Sequence, residues 1–275
     1  MIRDYRLNPN RKDNFFARLN MTNRLIIANI IFYVVSLSVL AFLGEQFFLD
    51  NFAVTPLSVL SGKNLWTLAT SMFSHLLFFH VFANMFSLFF IGNFLEKIIG
   101  RNRFFWVYIF AGLTGGIFFA LSGLIFNNNA PGIGASGAIF GLLGILAVLV
   151  PYSKIYLIAG PLMLILAQVI LNPIVPTEIA SVFGMIINIL IFAMLFAIFS
   201  WNPKIRKFAV PIELSMWLLP IIAIVPLVLI DFVPGIDLPI GNSAHLGGLL
   251  VGLLYGFYLK RKFPNKTRMI SKHFR

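Results

Sequence analysis

Long uninterrupted runs of apolar residues dominate this sequence, and short polar segments separate them. A helix needs about 20 apolar residues to cross a bilayer, so each run predicts a candidate membrane span. The runs lack the two-residue alternation that is typical of a transmembrane β-barrel. The pattern therefore predicts an all-α polytopic membrane protein with eight spans, at residues 25–43, 78–95, 104–126, 136–152, 155–171, 179–200, 211–231 and 243–259.

Composition strengthens the membrane interpretation. Hydrophobic residues make up 59% of the chain and charged residues 11%, whereas a soluble domain has about 45–50% apolar and about 25% charged residues. These values exclude a soluble domain and a disordered chain. The sequence contains no cysteine, which excludes disulfides, cysteine-ligated metals and a cysteine nucleophile.

The positive charge of the chain lies between the spans and predicts its orientation. The net charge is +12, which we assign to contact with anionic lipid rather than with nucleic acid. If the N-terminus is cytoplasmic and the sides alternate, every Lys and Arg except Lys63 falls on the cytoplasmic side. We therefore expect both termini to be cytoplasmic, in a multi-pass protein of a prokaryotic cell membrane.

The domain organisation follows from the same pattern. We expect a basic cytoplasmic segment at 1–24, a transmembrane domain at 25–259 and a basic, disordered cytoplasmic tail at 260–275. The loop at 44–77 is too apolar for water and too broken for a span, so it predicts an element in the membrane interface. Span 136–152 is short and follows a glycine-rich loop, so we expect its N-terminus to lie recessed and packed within the protein.

Polar residues within the spans are the candidates for function, because such groups are costly in a membrane. His80 and Asn84 lie four residues apart at the start of the second span, so they share one helix face. His75 precedes them. Donors of this kind can stabilise an oxyanion. Alternatively, they form an interhelical hydrogen bond that joins two spans.

Ser136 opens the short span within the string Gly134-Ala135-Ser136-Gly137. The small neighbours leave its hydroxyl accessible, and a helix N-terminus favours negative charge. Both properties suit a nucleophile that forms a tetrahedral oxyanion. The alternative is simple helix packing, because Gly137 and Gly141 form a pair of small residues spaced by four.

His245 opens the last span, and Gly248, Gly252 and Gly256 follow on nearly the same face. Two glycine faces in contact would bring this imidazole within hydrogen-bond reach of Ser136, so that it could act as a general base. Phe140, one turn below Ser136, could pack under the ring and fix its orientation. Asp231 and Asp237 lie in the preceding loop and are poorly placed as a third, acidic member.

Depth in the membrane supports a common site. The spans that contain His80, Ser136 and His245 all descend from the outer side in the predicted topology, and each of these residues lies near the upper end of its span. Three separately identified polar positions therefore fall at one depth.

These motifs together resemble the rhomboid family of intramembrane serine proteases. The resemblance covers about residues 64–152 and 211–258 and rests on three strings: Gly134-Ala135-Ser136-Gly137, Ala244-His245 with Gly248 and Gly252, and His75 with His80 and Asn84. One departure is Trp66-Thr67, where the family often has Trp-Arg. The resemblance implies a six-helix core, so we assign two extra spans, 155–171 and 179–200, to an insertion before the core fifth helix at 211–231. The reverse assignment stays open, because both 155–171 and 211–231 follow a basic segment and contain proline.

The resemblance also implies a function. Ser136 and His245 would form a catalytic dyad; the Ser136 N–H, His80 and Asn84 would stabilise the oxyanion, and Gly134, Gly137, Phe140, Gly248, Gly252 and His75 would support the site. The expected activity is cleavage of membrane-protein segments, with single-span substrates and without a cofactor or metal. The alternatives are a non-catalytic rhomboid-like protein that binds membrane segments and, less favoured, a transporter, for which internal repeats and several intramembrane charges are missing.

Overall fold

The structure is a computed structural model that describes residues 19–171, 174–197, 200–230 and 241–274. Its elements before the first strand are α1 (Met21–Leu43), α2 (Glu45–Phe52), α3 (Pro56–Leu60), α4 (Thr67–Thr70), α5 (Phe78–Ser87), a π-helical turn (Leu88–Gly92), α6 (Asn93–Ile99), α7 (Arg101–Ile125) and α8 (Ser136–Leu149). They continue with β1 (Lys154–Ile158), α9 (Ala159–Leu171), α10 (Thr177–Ala197), α11 (Pro203–Phe208), β2 (Pro211–Ser215), a 3₁₀ turn (Met216–Leu218), α12 (Leu219–Ile230), α13 (Asn242–Lys262) and α14 (Pro264–His273).

Four helical stretches among the described residues are long and apolar enough to cross a membrane: Met21–Leu43, Phe78–Ile99, Arg101–Ile125 and Thr177–Ala197. They coincide with the predicted spans 25–43, 78–95, 104–126 and 179–200. The last predicted span, 243–259, lies within α13, whose 21 residues extend for about 32 Å. The prediction of a helical, multi-pass membrane protein is thus confirmed.

Helix α8 forms the centre of the bundle. Its 14 residues extend for only about 21 Å, which is less than the roughly 30 Å of a hydrocarbon core. Every residue of α8 except Ser136 and Ala147 is buried, because α7, α12 and α13 pack around it. This is the short, protein-enclosed helix that the sequence predicts.

Two predicted spans begin as strands instead of helices. The apolar runs at 155–171 and 211–231 start with β1 and β2, which pair antiparallel so that Ile155 faces Leu214 and Ile158 faces Pro211. The prediction of continuous helices there was wrong because hydropathy does not distinguish a short apolar strand from the first turns of a span. A two-stranded ribbon leaves its edges unpaired, so it belongs outside the hydrocarbon.

A salt bridge crosses the ribbon. Lys154 Nζ lies 2.7 Å from Glu213 Oε1, and both side chains are exposed. The hydrogen bond and the positive charge of Lys154 hold the pKa of the Glu213 carboxyl below its usual value.

The two strands of the ribbon lie before and after the segment that we assigned to an insertion. Helix α9 packs against α10, whereas α12 packs against the central helices α8 and α13. Aromatic contacts also join α10 to α5. The ring centroid of Phe192 in α10 lies 4.5 Å from that of Phe79 and 5.3 Å from that of Phe82. These contacts agree with α12 as the core helix and α9–α10 as the addition.

The basic tail is ordered, contrary to the sequence prediction. Helix α13 continues to Lys262, and α14 follows it almost at once. Thr267 is buried, and Phe274 packs edge-on against Phe94 with ring centroids 4.9 Å apart. Phe263, Thr267, Ile270 and Phe274 recur at helical spacing, a pattern that the dense positive charge obscured.

The loop at 44–77 contains three short helices, α2, α3 and α4. Within this loop Phe48 is buried, whereas Phe47, Leu57 and Trp66 are exposed. Exposed apolar side chains of this kind suit the membrane interface. Thr67, at the position where the family often has arginine, is fully buried and its hydroxyl donates a 2.7 Å hydrogen bond to the Asn64 carbonyl. Of the predicted basic segment at 1–24, residues 1–18 lie outside the described residues, and α1 already begins at Met21. The loop carrying Asp231 and Asp237 also lies outside the described residues.

Candidate active site

The turn before α8 is built around a glycine. Gly134 has φ +122°, a conformation that side chains rarely adopt, and its N–H donates a 2.8 Å hydrogen bond to the Ser71 carbonyl. A β-carbon at this position would lie 2.7 Å from Nε2 of His80. The chain therefore needs glycine here both for its backbone and for the neighbouring imidazole, and Ser136 follows as the first residue of α8.

Helices α8 and α13 touch through their backbones. A β-carbon on Gly248 would lie 1.8 Å from the Gly137 carbonyl oxygen, and one on Gly252 would lie 1.9 Å from the Gly141 carbonyl oxygen. No side chain larger than hydrogen fits at either position. The two glycine faces that the sequence indicates are therefore in direct contact.

This contact brings Ser136 and His245 together. His245 Nε2 lies 2.8 Å from Ser136 Oγ, and the imidazole is only 6% exposed. The Phe140 ring stacks on the imidazole, with centroids 4.4 Å apart and planes 19° apart. If Nδ1 carries the proton of the neutral ring, Nε2 can accept the serine hydroxyl hydrogen.

The other ring nitrogen of His245 is buried. Nδ1 has no hydrogen-bond partner in the part of the chain that the structure describes. Among the described residues, no acidic side chain therefore bonds to this nitrogen to orient the imidazole. The stacked Phe140 ring is the contact that restrains the plane of the imidazole.

His75 and Asn84 form a buried polar pair next to the same turn. His75 is fully buried, and its Nδ1 donates to the Phe73 carbonyl at 3.1 Å. Its Nε2 then accepts from Asn84 Nδ2 at 3.0 Å. His75 therefore orients the carboxamide of Asn84.

His80 packs edge-on against His75, with ring centroids 4.9 Å apart. The position that a β-carbon on Gly134 would take lies 2.7 Å from His80 Nε2 and 3.7 Å from Asn84 Nδ2. Both side chains thus reach the turn that precedes Ser136, as their shared helix face suggests.

Sequence reasoning missed one part of this site, which comes from α7. A β-carbon on Gly115 would lie 2.8 Å from the Ala244 carbonyl and 3.5 Å from Gly137 Cα. Gly115 therefore lets α7 approach the residues that precede both His245 and Ser136. The Gly115-Gly116 pair within an otherwise bulky span was the available signal.

Among the described residues, no group of three or more His, Cys, Asp or Glu side chains could hold a metal ion.

Comparison with known proteins identifies the family. The family model for the Rhomboid domain matches residues 62–189 and 187–262. This chain belongs to the rhomboid family. The two matched pieces meet at residues 187–189, within α10, and together they run from residue 62 to residue 262. The resemblance inferred from the three strings is thereby confirmed.

Rhomboid relatives differ in the activity that their names state. RHOMBOID-like protein 1 of Arabidopsis thaliana is 27% identical over 210 residues, which are 76% of this chain and 38% of that protein. Rhomboid protease GluP of Bacillus subtilis is 36% identical over 89 residues, 32% of this chain and 17% of that protein. Inactive RHOMBOID-like protein 8 of Arabidopsis thaliana is 34% identical over 83 residues, 30% of this chain and 22% of that protein.

These matches limit what carries over from the rhomboid relatives. The aligned regions span only 17% to 38% of the three relatives' lengths. The family supports an integral multi-pass membrane protein. Other rhomboid matches carry mitochondrial names, such as Rhomboid protein 1, mitochondrial, of Saccharomyces cerevisiae, so the comparisons do not support our expectation of a prokaryotic membrane.

Proposed function

We propose that this rhomboid family member is an intramembrane serine endopeptidase that cleaves segments of membrane proteins. The observation that carries the proposal is the 2.8 Å contact between His245 Nε2 and Ser136 Oγ. A hydroxyl and an imidazole at this distance, at the end of a buried helix, are the parts that nucleophilic catalysis requires.

The reaction follows the usual course of serine catalysis. Ser136 Oγ attacks the carbonyl carbon of the scissile bond while His245 Nε2 takes the hydroxyl proton. The imidazolium then gives that proton to the leaving amine, and an acyl-enzyme forms on Ser136. A water molecule, deprotonated by His245, attacks the ester and restores the free serine.

The oxyanion would be stabilised from three directions. The N-terminus of α8 offers the Ser136 N–H and the positive end of the helix dipole. His80 and Asn84 reach the neighbouring turn and supply side-chain donors. His75 orients Asn84 through the 3.0 Å hydrogen bond to its amide, which reduces the reorganisation that oxyanion binding would require.

The proposed substrates are membrane proteins with a single span. A substrate helix must unwind locally before its carbonyl can meet Ser136, because helical carbonyls are already hydrogen-bonded. Glycine, proline or polar residues near the cut lower the cost of unwinding. Substrate would approach laterally from the lipid, and water would reach Ser136 from the outer side.

The proposed membrane arrangement has eight crossings with both termini cytoplasmic. The distribution of basic residues supports this orientation, because only Lys63 falls on the opposite side. The same orientation assigns the β1–β2 ribbon and its Lys154–Glu213 pair to the cytoplasmic surface, outside the hydrocarbon.

The test uses the purified full chain, reconstituted with a fluorescent single-span substrate. We expect Ser136→Ala and His245→Ala each to lower turnover by roughly 10⁴-fold or more. Ser38→Ala is the matched control, because that hydroxyl bonds only within α1 in the described structure, and it should leave turnover unchanged. Full activity of either dyad variant would refute the proposal.

Turnover of the substrate tests the oxyanion residues, and labelling by a serine-directed probe tests the nucleophile. His80→Ala or Asn84→Ala should lower turnover by about 10²–10³-fold, as expected for one oxyanion donor. A fluorophosphonate probe should label the wild-type protein at Ser136 and should not label Ser136→Ala.

The alternative is a non-catalytic rhomboid-like protein that binds membrane segments. The name of one relative, Inactive RHOMBOID-like protein 8, states that it is inactive. This alternative predicts that the wild-type protein captures the substrate span, cleaves nothing and fails to react with the probe.

A further inference from the structure

Two cavities meet at one end of α13. The first has a volume of about 550 Å³ and lies between α8, α12 and α13; its lining is mostly apolar and includes Val148, Trp217, Ile221, Leu246, Leu253 and Phe257. The second has a volume of about 350 Å³ and lies against α14, where Lys260, Thr267, Arg268, Ser271 and Lys272 contribute to its lining. Each volume falls within the roughly 300–1,000 Å³ of small-molecule sites.

The cavities adjoin one another. Val148, Pro151, Tyr152 and Lys260 line both of them. A single molecule could therefore place an apolar part in the first cavity, which we call the apolar groove, and a charged part in the second, which we call the basic pocket.

The groove has the dimensions of a lipid tail. It extends along α13 from Leu246 to Lys260, which at 1.5 Å per residue corresponds to about 21 Å. One leaflet of hydrocarbon is about 15 Å deep. The groove is therefore long enough for an acyl chain that enters at the Lys260 end and reaches through one leaflet.

The basic pocket favours a negative charge. Lys260, Arg268 and Lys272 line it, and the described residues that line either cavity include no Asp or Glu. Basic pockets beside membrane helices bind anionic lipid headgroups, because each Lys or Arg near the surface adds attraction. Trp217 and Tyr152 line the groove near the same end, where aromatic side chains suit the membrane interface.

We propose that these two cavities form one binding site for an anionic phospholipid. The phosphate binds in the basic pocket between α13 and α14, and an acyl chain fills the apolar groove against α12. A lipid tail suits this groove better than an extended peptide does, because an apolar lining leaves peptide N–H and C=O groups without partners. The site is separate from Ser136 and does not depend on proteolytic activity.

The first test compares charge variants by native mass spectrometry of the full-length protein in neutral detergent. Wild-type protein should retain phosphatidylglycerol with at least tenfold higher affinity than phosphatidylcholine. The triple variant Lys260→Gln, Arg268→Gln, Lys272→Gln should lose this preference.

The matched control removes the same charge from the same two helices, outside the cavities. Arg261→Gln, Lys262→Gln, Lys266→Gln should keep the preference within about threefold of wild type. Equal loss in the two triple variants would overturn the proposal, because it would mean that the surface attracts anionic lipid without a defined site.

The second test fills the apolar groove. Leu253 lines it, whereas Leu254 does not and is 61% exposed. Leu253→Trp should weaken phosphatidylglycerol binding at least tenfold, and Leu254→Trp should leave it unchanged. Equal binding to both variants would overturn the assignment of the acyl chain.

Competition separates a lipid from a free anion. Inorganic phosphate and glycerol 3-phosphate at millimolar concentration should not displace phosphatidylglycerol from the wild-type protein. Displacement by either would mean that the basic pocket recognises the phosphate alone, and it would overturn the lipid proposal.

Discussion

At positions 248 and 252, hydrogen is the largest side chain that the contact between α8 and α13 accepts. The carbonyl oxygens of Gly137 and Gly141 occupy the space that a methyl group would need. Because backbone atoms of two buried helices must shift to admit that methyl, substitution should be costly.

We therefore expect Gly252→Ala to lower the free energy of unfolding by about 3 kcal/mol, the upper end of the usual cost of overpacking. Denaturant titration in mixed micelles measures this change. Gly184→Ala is the control, because a β-carbon there would meet only Gln168 Nε2, at 3.4 Å. Similar unfolding of both variants would contradict the close contact.

Phe140 affects the imidazole through ring stacking. Aromatic pairs contribute about 0.5–1.5 kcal/mol beyond burial, which corresponds to a two- to tenfold change in rate. We expect Phe140→Leu to slow fluorophosphonate labelling of Ser136 by that factor when the rates are compared for the folded protein, because loss of this buried ring also lowers stability. Phe140→Tyr keeps the ring and should label at the wild-type rate; equal rates for all three proteins would remove the positioning role.

Much of the candidate site could be predicted from particular residues. Glycines at fixed spacing after Ser136 and His245 indicated that two helices approach closely, and the structure brings the two side chains to 2.8 Å. Their catalytic roles stay predictions. Gly115 was missed because the Gly115-Gly116 pair indicates only that something packs closely there, whereas its partner is the Ala244 carbonyl of a helix far along the chain.

Among the elements, the β1–β2 ribbon is the feature that hydropathy could not reveal. The apolar strand residues Ile155 to Ile158 merge with the helix that follows, and pairing depends on β2, more than 50 residues later. Helix α14 was missed for another reason, because a high density of charge suggested disorder although the apolar spacing was helical. The long spans were predictable, since length and composition suffice for them.

The ribbon's register can be tested in this naturally cysteine-free chain. We expect the variant Ile155→Cys, Leu214→Cys to form a disulfide on mild oxidation, because directly opposed residues have Cα atoms about 4.5–5.5 Å apart. In Ile155→Cys, Glu213→Cys the second cysteine points to the other face, so it should remain reduced. Non-reducing electrophoresis after proteolysis between the two positions distinguishes the outcomes, and oxidation of the second pair alone would indicate a shifted register.

At the scale of the whole molecule, the distribution of basic residues predicts the orientation of the chain in the membrane. Single cysteines at Lys63, Lys204 and Lys266 replace exposed lysines on the two proposed sides. A membrane-impermeant maleimide should label Lys63→Cys in intact cells, and it should label Lys204→Cys and Lys266→Cys only after permeabilisation. Labelling of either of these two in intact cells would contradict the cytoplasmic assignment of that segment.

The register of β1 and β2 also bears on how this rhomboid could have acquired its additional helices. Ile158 and Pro211 are direct partners, so the chain leaves the bundle before α9 and returns to it before α12 at neighbouring points. A segment that starts and ends at neighbouring points does not require the helices that carry Ser136 and His245 to move apart. Evolution could therefore lengthen, shorten or replace that excursion while the dyad geometry stayed the same.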